Sequence, residues 1–212
     1  MPRSEEPGAG QRRAKLARSD AGLRPGFARY LDLEAIADEL RCFELALIPG
    51  LLQTERYARA AITAFADIDS SRDQIDVRIA TRLERRRQLV ASDGPRAWFV
   101  LDEAALMPRI GDASVMDEQL TQLLSLAEQP NIDIVVLPRT AGLHAGLTGP
   151  FVLLAFDGGT TAEVVGSENL GDTVLRTEPE LVRAYRALFE RMQGDSTAEP
   201  IEASLRRLRG EH

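Results

Sequence analysis

This chain of 212 residues contains one cysteine, Cys42, and two histidines, His144 and the terminal His212. A lone cysteine cannot form an intramolecular disulfide, and one internal histidine cannot build a multi-histidine or cysteine-rich metal centre. No stretch approaches the roughly 20 apolar residues that a membrane-spanning helix needs, and the first 25 residues hold no apolar core of a secretory signal. A cytoplasmic protein that neither enters nor crosses a membrane is therefore expected. Motifs are sparse as well. The sequence has no Walker-type loop, no Gly-x-Gly-x-x-Gly and no Gly-x-Ser-x-Gly elbow, so it advertises neither a nucleotide site nor a serine hydrolase. No cofactor and no metal is expected. A formal net charge of −7 works against a phosphate backbone, which is bound chiefly by neutralising lysines and arginines.

What is present suits a folded domain. Hydrophobic residues make up 44% of the chain and charged residues 28%, enough for a real core. Residues 1–25 read as a flexible basic arm, with six basic residues up to Arg24 against three acidic ones. The arm is too short to be a helix-turn-helix domain with a core of its own. Residues 26–212 read as a single domain. Leu31, Leu33, Ile36, Ala37, Leu40 and Phe43 recur near the helical period, which predicts one amphipathic helix over 27–47, ended by Ile48-Pro49-Gly50. Thr54 is a candidate N-cap for a second helix to Ala66, and a third is expected from Ser70 or Ser71 to Val90. That helix carries Ile75, Ile79 and Leu83 on one stripe and Arg78, Arg82, Arg85 and Arg86 on another. The arginines either form a solvated face paired with Glu84 or grip an anion. Residues 97–101 and 132–137 are predicted strands joined through a helix over 115–127, a parallel crossover. Strands at 151–156 and 162–165 are expected to form a hairpin through Asp157-Gly158-Gly159, with helices over 181–192 and 201–208 after them. The expected fold class is α/β or α+β, with N-terminal helices packed on a small mixed sheet with a crossover helix and C-terminal helices.

Ile48-Pro49-Gly50-Leu51-Leu52-Gln53-Thr54-Glu55 with Tyr57-Ala58 resembles the signature of the uncharacterised effector domain that follows an Xre-type helix-turn-helix in actinobacterial regulators of the WhiJ-like group. Further pieces fall in that family's order: Arg82-Leu83-Glu84-Arg85, Leu101-Asp102-Glu103-Ala104-Ala105-Leu106, Gln119-Leu120, Val136-Leu137-Pro138, His144-Ala145-Gly146, Gly149-Pro150-Phe151 and the stretch Tyr185 to Phe189. The resemblance covers about residues 30–208. It implies a regulatory role in development or specialised metabolism. Two departures stand out. The family's DNA-binding domain is not found ahead of residue 26, so direct sequence-specific DNA binding is not implied. Near Gly166-Ser167-Glu168 the resemblance calls for an aromatic residue ahead of the glutamate, and glycine stands there instead, which would alter or open a cleft lined by that aromatic.

The candidate ligand-binding residues are Gln53, Tyr57, Arg82, Arg85, Glu103, His144 and Glu168. Glu103, His144 and Glu168 are also the candidate catalytic set. His144 lies in a glycine-flanked loop and has a side chain suited to general-base chemistry near neutrality, or else it is a packed loop residue. Asp102 and Glu103 follow a predicted strand, where ligands of α/β sheets gather, yet adjacent carboxylates point apart, and Glu103 is equally suited to capping the next helix. Three functions remain open at this point. The first is a stand-alone sensing or partner-binding module whose partner is a small-molecule ligand or a regulatory protein, without its own DNA reader. The second is an enzyme of a specialised-metabolite pathway that uses Glu103, His144 and Glu168. The third is a dimerisation scaffold, a homodimer being compatible with the sequence.

Overall fold

A computed structural model of the protein describes residues 23–65, 71–156, 163–168 and 172–209. The described chain runs α1 (Pro25–Glu34), β1 (Glu39–Glu44), α2 (Glu55–Phe65), α3 (Arg72–Leu89), β2 (Arg96–Asp102), α4 (Ala113–Ala127), β3 (Ile132–Leu137) and β4 (Phe151–Ala155). β5 (Glu163–Glu168), β6 (Thr173–Arg176), α5 (Pro179–Gln193), β7 (Glu199–Pro200) and α6 (Ile201–Arg209) complete it. The fold is α/β. Seven strands form one sheet in the order β6-β5-β4-β1-β2-β3-β7. The central trio β1, β2 and β3 is parallel, while β4, β5 and β6 on one flank and β7 on the other are antiparallel.

Side-chain alternation assigns the layers. Leu40 and Cys42 of β1, Phe99 and Leu101 of β2 and Ile134 and Val136 of β3 point to one face. There they pack with Tyr30 and Leu31 of α1, Tyr57 and Ala61 of α2, Leu89 of α3, Leu123 of α4 and Leu205 of α6. Phe43, Val100, Leu137, Phe151 and Val165 point to the other, under Val182, Phe189 and Met192 of α5. The parallel strands thus have both faces covered, as crossover connections dictate. Among the described residues no helix is long and apolar enough to cross a membrane.

The single helix expected over 27–47 is two elements. α1 stops at Glu34, and Glu39–Glu44 is the central strand of the sheet, between β2 and β4. Leu40 and Cys42 alternate with Glu39 and Arg41 over only four residues before Phe43, buried on the other face, breaks the pattern. Their spacing after Leu33, Ile36 and Ala37 then imitates a helical stripe. Two short strands also escape the sequence. β6 has four residues, and β7 has two, one of them Pro200, tolerated because β7 is an edge. Leu23, inside the expected arm, packs on the core. The rest of the expected arm, residues 1–22, and the turn at 157–159 lie outside the described residues.

Candidate functional site

The stretch between β1 and α2 organises a polar cluster inside the helical layer. After Pro49 the chain makes one 3-10 turn over Gly50–Leu52, which delivers Gln53, 4% exposed, to the inner side of α3. Gln53 Nε2 donates to the Ile48 carbonyl at 2.8 Å, and its Oε1 accepts from Arg82 at 2.6 Å. Arg86 donates to the Gln53 carbonyl, also at 2.6 Å. Thr54 caps α2 as expected, accepting from the Tyr57 amide at 3.2 Å. Gln119 of α4, fully buried, accepts from the Thr54 amide and donates to the Leu52 carbonyl. Side chains of α3 and α4, together with Gln53 of the turn itself, thus answer its polar groups, which is why a loop can be buried here.

One turn further along α3 lies a buried ion pair. Arg85 binds Glu34 of α1 with two parallel bonds of 2.6 Å, and the Tyr30 hydroxyl donates to the same carboxylate at 2.5 Å. Burial alone would lower the Arg85 pKa, but the Glu34 carboxylate outweighs it and holds the guanidinium firmly charged. Burial and Glu34 together push the Tyr30 hydroxyl well up. The arginine stripe is therefore not a solvated face paired with Glu84; Glu84 meets Arg87 on the outside, while Arg85 is 8% exposed.

Above this pair a cavity of about 300 Å³ opens between α1, α2, α3 and the start of β6. Leu23, Phe27, Leu47, Ala61, Ile62 and Phe65 supply apolar wall; Gln53, Arg78, Thr81 and Arg82 form the side toward α3; Glu168, Asp172 and Thr173 lie at the sheet edge, with Arg24 nearby. Asp172 fixes the wall by accepting from the first amides of α1, Gly26 at 2.8 Å and Phe27 at 3.1 Å, an anion at a helix N-terminus. The Gly26 amide leads these bonds in holding the Asp172 carboxyl below its usual range. A Cβ on Gly26 would strike the Thr173 carbonyl, so this docking requires glycine. Burial lowers the pKa of Arg82 to about 10. Glu44, at the end of β1, is raised to about 8, first by burial and then by Glu168, against the pull of Arg82. Register places Glu44, Glu168 and Asp102 along the carboxyl edge of the parallel strands, the usual address of ligands in such sheets.

Asp102 turns to the opposite face. Its Oδ1 accepts from the Ala104 amide at 2.7 Å and its Oδ2 meets His144 Nε2 at 3.0 Å. The His144 ring stands edge-on to Phe43 with its Nδ1 buried and unbonded. Gly146 presses so closely on Phe43 and Met192 that a Cβ would not fit, which explains the glycine in this loop. Glu103, 4% exposed, accepts from Arg207 of α6 at 2.8 Å and from the Arg139 amide at 3.1 Å. Burial alone would raise the Glu103 pKa, but these two donors prevail and leave it below the usual range. Asp102, not Glu103, caps the following turn.

Over residues 27–210 the sequence matches the family described as Domain of unknown function (DUF5753). The chain belongs to this family. No curated protein and no solved structure matches it. Of the residues singled out from sequence in this DUF5753 domain, Gln53, Arg82 and Glu168 line the cavity. Tyr57 and Arg85 stand behind it, the former fully buried with its hydroxyl accepting from the Ile48 amide at 3.4 Å. Glu103, His144 and Glu168 do not assemble: each is engaged with different neighbours or lines a different space, so no acid–base set results. Gly166 does not open the cavity, since its Cα lies under Tyr30, with Leu175 beside it. Glu34, Glu44 and Asp172 were missed. Reading Glu44 as helical hid its place at a strand end, and the α3 arginines were the available hint that buried acids must exist.

Proposed function

We propose that this DUF5753 domain is a cytoplasmic sensing module that holds a small molecule in the cavity between α1, α2, α3 and the sheet edge. The observation that carries the reading is the cavity itself: about 300 Å³, at the low end of ligand pockets, with an apolar wall facing a few convergent charged groups. Structural clamps surround it, from Asp172 on α1 to Gln53 on α3, so occupancy would bias how α1 and α2 sit on the sheet. The motifs shared with the effector half of Xre-type, WhiJ-like regulators support a role in transcriptional control of development or specialised metabolism, exerted through a protein partner. Binding to DNA would then belong to that partner.

The test is native mass spectrometry of the protein from its own host, beside Thr81→Trp. Thr81 lines the cavity and its hydroxyl only back-bonds to the Val77 carbonyl, so a bulky side chain there occupies the space without unseating the core. A small molecule retained by the parent and lost in the variant is the expected result. A parent that carries no molecule, and whose melting temperature responds to none supplied, would sink the reading.

A further inference from the structure

The charged groups around the cavity are not equally engaged. Asp172 accepts three backbone amides, from Gly26, Phe27 and Thr173, and interacts with Arg24 across the entrance. Arg85 is taken by Glu34 and Arg86 by a carbonyl. Arg82 hydrogen-bonds only the neutral Gln53 amide and feels the Glu168 charge without an ion-pair contact, and Arg78 has no hydrogen bond or ion pair with any described residue. Both lie on α3 one turn apart, lining the same cavity, so their guanidiniums can converge on one group. The carboxylate at the edge that is not clamped in this way is Glu168. Glu44, raised to about 8, is mostly protonated at neutrality. Among the described residues, with Asp172 set against Arg24, two guanidiniums against one carboxylate leave one positive charge in excess, facing the apolar part of the wall.

Resting on the reading of this cavity as a ligand site, we infer that its ligand is a small apolar carboxylic acid: the carboxylate lies on Arg78 and Arg82, and the hydrocarbon body lies against Phe27, Ala61, Ile62 and Phe65. A planar guanidinium matches a carboxylate with two parallel bonds, and a partly desolvated arginine without an anion gains most from one. A phosphate monoester, with close to two charges, would overcompensate the site and meet Glu168. An amine would face the arginines.

Three matched probes discriminate: 3-phenylpropionate, 3-phenylpropanamide and 3-phenylpropylamine, followed by saturation-transfer NMR on the full chain. The acid is expected to bind, the amide on the order of tenfold more weakly, and the amine not at all. Arg78→Gln, which breaks no hydrogen bond or ion pair with a described residue, is expected to erase the preference for acid over amide, and Glu168→Gln to strengthen acid binding. Amide or amine binding as tight as the acid, blocked by Thr81→Trp, overturns the assignment while leaving the cavity as the site. Acid binding unchanged in Arg78→Gln and in Arg82→Gln also overturns it. If no probe binds, the assignment falls; the cavity reading falls with it only when the parent also retains no molecule that Thr81→Trp displaces.

Discussion

The two faces of the sheet handle charge differently. Under α5, the apolar cluster of Phe43, Phe151 and Phe189 is almost continuous, and its charged groups meet partners: His144 with Asp102, closed by a loop pressed onto Phe43, and Glu163 with Arg186 of α5. Under α1 to α4 the chain buries a run of arginines on α3, some met in full by Glu34 or by backbone carbonyls and others left facing a cavity. Buried charge is tolerated only when paired and hydrogen-bonded. The difference therefore separates scaffold from site: His144 and Arg85 hold elements together, whereas Arg78 and Arg82 have binding capacity to spare.

That contrast is easiest to break at its strongest point. Glu34→Ala leaves Arg85 charged and unpaired in the interior and removes the acceptor of Tyr30, so urea unfolding should show a loss of about 3–5 kcal/mol. The double variant Glu34→Leu/Arg85→Met should recover most of it, because no bare charge remains. A single variant at wild-type stability would mean that the pair is solvated.

Glu44 provides a pH-dependent comparison. Its pKa rises from 4.5 unfolded to about 8 folded, so the folded state holds this proton more tightly. The stability it contributes is fully present below about pH 4.5 and is lost as pH rises through 8. The loss should be on the order of 2–4 kcal/mol, the full shift being reduced by partial exposure. Glu44→Gln should match the parent near pH 5 and exceed it at pH 8.5 in thermal melts; parallel curves would refute the placement of Glu44 beside Glu168 and Arg82.

Gln119→Ala orphans the Thr54 amide and the Leu52 carbonyl together, and should cost about 2–3 kcal/mol in urea unfolding. His144→Ala is expected to be the mildest, at about 1–2 kcal/mol, since Asp102 keeps its bond from Ala104. It should leave acid binding at the other face untouched. A loss of binding there would show that the two faces communicate.

Much of the architecture was legible from local pattern. The Ser71 cap with Gln74 opens α3 where the sequence placed it, and Ile132–Leu137 is a strand residue for residue. Helix caps and long periodic runs depend on neighbours along the chain, so sequence displays them. β1 was illegible because its alternation runs over only four residues before Phe43 breaks it, and β6 and β7 because four or two residues are too few to form a pattern. The candidate site was half legible. Gln53, Arg82 and Glu168 could be named from their places in motifs and elements, but not the acids that decide which arginine is free.

Sequence by itself determined the crossover β2–α4–β3, the capped helices and the absence of a histidine or cysteine set for metal chemistry. Only tertiary structure decided that Arg85 pairs with Glu34 across 51 positions, that Asp172 clamps a helix start 146 positions earlier, and that Glu103 and His144 are held by other groups. The reason is that a charged side chain looks the same on a helix wheel whether it meets water, a carboxylate or an empty cavity. Its partner is fixed only when segments far apart in the chain exclude water between them.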